Sequence, residues 1–114
     1  MAYTKVKEDH VMARYLVLWK ANAGAWPSDP KGVLATWQAA TGGGDHLLSA
    51  GALKELAWLS ADEGFAIFEA ESKAAVMGMI QPFFPHFSQD IREIVPWENG
   101  KQSILASARQ AASR

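Results

Sequence analysis

Residues 52–60, ALKELAWLS, and residues 64–71, GFAIFEAE, decide how this chain is read. Both are short runs rich in aliphatic and aromatic side chains, which suits strands. Residues 60–64, SADEG, join them with polar and turn-forming side chains, so the pair reads as a hairpin.

Working outward, residues 13–20, ARYLVLWK, form a third strand-like run upstream. Residues 21–28 contain Asn22, Gly24 and Pro27 and read as a loop. Asp29 then suits a helix N-cap and Pro30 the first helical position. Val33, Leu34, Trp37 and Ala40 fall on one helical face. Gly42, Gly43 and Gly44 are expected to stop that helix and act as a hinge, with a short turn over residues 45–49. The triplet lacks the spacing of a phosphate-binding loop.

Downstream of the hairpin, Ser72 is a suitable N-cap for a second helix, with Val76, Met77 and Ile80 inward and Pro82 at its end. Residues 82–87 are an apolar connector. Residues 91–97, IREIVPW, read as a fourth strand, with Pro96 at a sheet edge or bend. Residues 99–112 read as a terminal helix with Ile104, Leu105 and Ala108 on its apolar side. Arg109 near its end suits the helix dipole.

The order strand, helix, strand, strand, helix, strand predicts an α+β fold of the ferredoxin-like βαββαβ kind, with a four-stranded antiparallel sheet and a C-terminal helix. The expected organisation is a flexible N-terminal segment over residues 1–12, one domain over 13–97 and a helical tail over 98–114. A length of 114 residues fits one domain.

The strands lack the apolar–polar alternation of a sheet with one wet face. Tyr15, Val17 and Trp19 oppose Leu16 and Leu18; Phe65 and Ile67 oppose Ala66 and Phe68. Two helices cover one face only. The other face calls for a second subunit's sheet, giving a two-fold homodimer or higher oligomer. The C-terminal helix is the rival cover.

Composition narrows the function classes. The chain has no cysteine, which removes disulfides, thiolate nucleophiles and cysteine metal sites. It fits a reducing, cytoplasmic compartment. The net charge is −1 and the basic residues are scattered, against a nucleic-acid partner or an anionic membrane surface. No run reaches the roughly 18 apolar residues of a membrane span. The three histidines, His10, His46 and His86, lie far apart, so no metal is expected.

Residues 81–87, QPFFPHF, running on to residues 90–97, DIREIVPW, carry a family resemblance. They resemble the second-helix exit and last strand of the muconolactone isomerase-like branch of the dimeric α+β barrel superfamily. The run 64–71 followed by Ser72 is similar to that family's third strand. The likeness covers roughly the C-terminal half of the domain. It implies a ferredoxin-like protomer, a dimer or higher assembly, and a pocket between sheet and helices. It also implies a cofactor-free proton shift in an unsaturated lactone. The family's second strand is rich in Arg, His and Trp; here that strand keeps Trp58 and lacks the arginines and histidine.

Several residues could carry such chemistry. Glu69 sits between Phe68 and Ala70, where a carboxylate can hold a proton near neutral pH. A hairpin centred on Asp62 would place Glu55 opposite it; the plainer reading is a pair of solvated strand acids. His86 is a proton shuttle by type, or a packing substitution in an aromatic connector. Lys54 and Arg92 would hold a ligand anion. Trp58 and Phe68 would wall the pocket, with Trp19, Trp37 and Phe65 as further aromatic lining or plain core. Trp26 and Trp97 suit a pocket rim or subunit contact.

Two functions follow. The first is a cofactor-free enzyme on a small unsaturated lactone or aromatic acid. Isomerisation through Glu69 or His86 is the first reaction to expect, and monooxygenation or cyclisation the alternative on the same scaffold. The second is a non-catalytic dimeric module that binds a small ligand or serves assembly. The missing second-strand cations favour the second, and fold alone does not choose.

Overall fold

Side chains alternate in the middle of strand β1 (Ala13–Ala21): Tyr15 and Val17 are buried, whereas Leu16 between them and Leu18 after them are half-buried. Strand β3 (Glu63–Ala70) repeats the pattern, with Gly64, Ala66, Phe68 and Ala70 buried. Period-two burial on both sides of one ladder means that one face packs while the other stays open. These observations come from a computed structural model that describes residues 12–114. The expected flexible segment and His10 therefore lie outside the described residues, apart from Met12.

Strand β2 (Leu53–Trp58) pairs with β3, and β4 (Phe87–Ile94) pairs with β1. Every pairing is antiparallel, and the four-stranded sheet runs β2-β3-β1-β4. Helix α1 (Pro30–Ala50) links β1 to β2, and α2 (Lys73–Ile80) links β3 to β4. The arrangement is compatible with a ferredoxin-like fold. Helix α3 (Trp97–Ala112) follows β4.

The core lies between the sheet and the first two helices. Tyr15, Val17, Leu53, Ala66, Phe68 and Ala70 of the sheet cluster with Val76 and Ile80 of α2, and Leu47 of α1 packs against them. Capping fixes the helix starts as the sequence suggests. The Asp29 carboxylate accepts from the Gly32 amide at 2.9 Å, and the Ser72 hydroxyl accepts from the Ala75 amide at 3.1 Å.

Four local expectations are corrected. First, α1 does not stop at Gly42–Gly44 but runs through the triplet to Ala50. Glycine lowers helix propensity by about 1 kcal/mol per residue. Tertiary contact offsets that loss: a Cβ on Gly43 would stand 3.0 Å from the Phe83 ring, and one on Gly44 2.8 Å from a Leu56 methyl carbon. The stop is Gly51, whose φ of 95° is the left-handed conformation of a helix C-terminus.

Second, β4 begins at Phe87 and ends at Ile94, not at Trp97, because Pro96 leaves the ladder and precedes α3. Third, α3 starts at Trp97, two residues before the expected start. Fourth, Glu55 does not face Glu69. An irregularity between Leu53 and Glu55 shifts the register, so Glu55 lies opposite Ile67, and Glu69 lies opposite Arg14 of β1.

The open face carries Leu16, Leu18, Phe65 and Ile67, all half-buried. Helix α3 buries none of its residues, and Trp97 and Ile104 are 80% and 69% exposed. It is therefore no cover for the sheet within one chain. Among the described residues no helix is long and apolar enough to cross a membrane.

Candidate functional site

The packed face of the sheet does not close completely against α1. A cavity of about 260 Å³ remains between them. Its floor is Val17, Ala66 and Phe68, its roof Ala40, Gly44 and Leu47 of α1, and its sides are aromatic. Gly44 lines this space with bare backbone, and a Cβ there would press on a Leu56 methyl carbon at 2.8 Å.

Trp19, Trp37, Trp58 and Phe87 form a continuous aromatic wall. Trp19 meets Trp58 edge-on with ring centroids 5.3 Å apart, and meets Phe87 at 5.7 Å. Trp37 bridges the two at 5.5 Å from Trp58 and 5.7 Å from Phe87. Such geometry contributes beyond area burial and holds flat surfaces around the space. Trp58 is 56% exposed and stands at the solvent side.

Polar groups at the cavity are few. The Thr41 hydroxyl is used within α1, donating to the Trp37 carbonyl at 2.8 Å. Gln89 donates its amide to the Ile80 carbonyl at 3.2 Å, which leaves its carbonyl oxygen as an acceptor. Asp45 is exposed at the rim and is the lining residue that carries a charge. The Trp19 indole nitrogen is buried without a hydrogen-bond partner, alone in this among side-chain polar atoms of the described residues. An unpaired buried donor costs about 1–3 kcal/mol, so it marks a place where the fold is not self-sufficient.

The residues singled out from sequence divide by face. Trp58 and Phe68 line the cavity, as do Trp19 and Trp37. Glu69 neighbours Phe68 along β3 and so points through the other face, where Lys54 lies 3.9 Å from its carboxylate. Both side chains are at least 40% exposed. Arg92 also lies on the open face and binds Asp90 at 2.9 Å. Phe65 faces that way too, opposite Leu18.

His86 occupies a third location. It lines a separate hollow of about 330 Å³ beside Thr36, Gly43 and Phe83. Its ring meets Trp26 edge-on at 6.0 Å, and its carbonyl accepts from the Trp26 indole at 2.7 Å. His46 is exposed on α1. Glu69, His86, Lys54 and Arg92 are thus not brought together around one space. Among the described residues no group of three His, Asp or Glu side chains converges to hold a metal ion.

Phe83, Phe87, Gly44 and Asp45 belong to the cavity but were not singled out for it. The glycine triplet carried the signal, read as a stop rather than as a close approach. Phe87 was hidden in the proline-rich connector, although it opens β4.

Among known proteins, no family model matches this chain, and no curated protein matches it in sequence.

Proposed function

We propose that this chain is a small-ligand-binding domain that takes a flat, apolar molecule between the sheet and α1. The observation behind this reading is the cavity itself: aromatic walls, a space for one or two rings, and no cation among the described residues of its lining. The Lys54 and Arg92 side chains, which would orient an anionic ligand, are paired with acids on the far face.

The domain works as a pair of copies joined through the open sheet face. Among the described residues no element covers Leu16, Leu18, Phe65 and Ile67. Around them stand Arg14, Lys20, Lys54 and Arg92, balanced by Glu55, Glu63, Glu69 and Asp90. A face with equal numbers of both signs can meet a copy of itself without net repulsion.

A catalytic reading has one observation in its favour, the Asp45 carboxylate at the cavity rim. As a proton carrier there, it would support isomerisation of an unsaturated lactone, the reaction that the family resemblance implies. Asp45→Asn would then abolish turnover while leaving ligand affinity in place.

The binding reading is tested by calorimetric titration with tetralin, a bicyclic hydrocarbon, on the wild type and on Ala40→Phe. Ala40 lines the cavity from α1, and a phenyl group there occupies the space. Saturable binding by the wild type alone, with unchanged circular dichroism, supports the reading. Equal binding by both proteins contradicts it.

A further inference from the structure

We infer that the cavity selects a neutral carbonyl compound, and that the Trp19 indole N–H is the group that recognises it. The inference rests on the binding reading above and adds the class of ligand.

The argument begins with an imbalance. Every other polar side chain among the described lining residues is bonded or reaches solvent: Thr41 and Gln89 bond to backbone carbonyls, Asp45 and Trp58 are exposed, and the Trp37 indole nitrogen is not both buried and unpaired. Trp19 does neither. Its nitrogen is shielded from solvent and unbonded, although its ring lines the cavity. An indole nitrogen can only donate. The missing partner is therefore an acceptor oxygen on a molecule that is otherwise apolar.

Charge decides which oxygen. A carboxylate would accept from Trp19, but the lining offers it no cation, and Asp45 at the rim repels it. A hydroxyl would have to place its own proton as well, on the Gln89 carbonyl oxygen or the Asp45 carboxylate at the rim. A ketone, lactone or quinone oxygen accepts without donating and carries no net charge. The flat ring or rings beside that oxygen fill the space among Trp37, Trp58 and Phe87.

Access to the nitrogen runs past Trp58. Its ring packs edge-on against Trp19 and is more than half exposed, and recognition by the buried nitrogen requires that ring to turn outward. Trp19 itself is held from behind. It pairs with Gly64 across the ladder, and a Cβ on that residue would overlap the indole. The donor is thus held by the sheet behind it, a preorganised arrangement that favours selective binding.

The test compares 1-tetralone with tetralin, which share a ring system and differ by the carbonyl oxygen. The wild type should bind the ketone roughly 3- to 10-fold more tightly, the range of one net hydrogen bond. The indole proton of Trp19 should move downfield with the ketone only. Trp19→Phe should bring the two affinities together. A naphthalene carboxylate should bind more weakly than either. Equal affinities for ketone and hydrocarbon, with an unmoved Trp19 signal, would overturn the inference and leave the binding reading standing. Tighter binding of the carboxylate would overturn it as well. Failure of both tetralin and tetralone to bind would remove the binding reading and this inference together. The indole signal is read in the wild type, so a poorly folding Trp19→Phe does not disable the test.

Discussion

Trp19 and Gly64 face each other across β1 and β3, and the indole occupies the space that a side chain at Gly64 would need. A Cβ there would overlap Cζ2 of Trp19 and the carbonyl oxygen of Ala57. The carbonyl belongs to the neighbouring strand and cannot turn aside as a side chain can. Gly64→Ala should therefore destabilise the fold by about 3 kcal/mol, the upper range for overpacking. A urea denaturation midpoint measures it. A change below about 0.5 kcal/mol would show that the close approach is not a constraint.

Gly42 gives the opposite expectation. It lies inside α1, and a Cβ there would meet nothing within 4 Å. Gly42→Ala should stabilise the protein by about 0.5–1 kcal/mol, since alanine restores helix propensity without a clash. The same denaturation series checks it. Destabilisation would mean that the helix does not run through the triplet.

These two glycines show what was legible in the sequence and what was not. Strand alternation was legible because it needs only a period of two: Tyr15, Val17 and Trp19 share one side and Leu16 and Leu18 the other, as the sequence predicts, and the structure turns the first set toward the helices. Both helix starts were legible through Asp29 and Ser72, whose side chains act within three residues of themselves. The run of glycines was misleading because propensity is local, whereas the continuation of α1 depends on Phe83 and Leu56, which are distant in sequence. Pro82 and Pro85 similarly masked the start of β4 at Phe87.

The site was legible by residue type and not by side. Trp19, Trp37, Trp58 and Phe68 were recognisable as flat lining and do meet at one cavity. Glu69 adjoins Phe68, and adjacent residues of a strand cannot share a face. Register added a second obstacle, since the irregularity near Lys54 moved Glu55 out of line with Glu69. Nothing local in the sequence reports such a shift.

Pairing through the open face makes a prediction of its own. Ile67→Lys places a charge among Leu16, Leu18 and Phe65 without touching the packed side of the sheet. Sedimentation should show a monomer for this variant and a dimer for the wild type at the same concentration. A monomeric wild type would remove the pairing reading.

The tail offers a complementary test. Helix α3 buries no residue within the chain, so truncation after Trp97 should leave the unfolding midpoint within about 0.5 kcal/mol of the full chain. It should also leave the dimer mass unreduced beyond the missing residues. Loss of the dimer on truncation would transfer the interface from the sheet to α3.

The most direct test of ligand binding follows the indole protons of the five tryptophans by NMR while tetralin is added. Trp19, Trp37 and Trp58 line the cavity, whereas Trp97 is 80% exposed on α3. The Trp37 and Trp58 signals should shift together and saturate at one ligand per chain, with Trp97 unmoved. Shifts confined to Trp97, or no saturable shift at any indole, would contradict a ligand site between the sheet and α1.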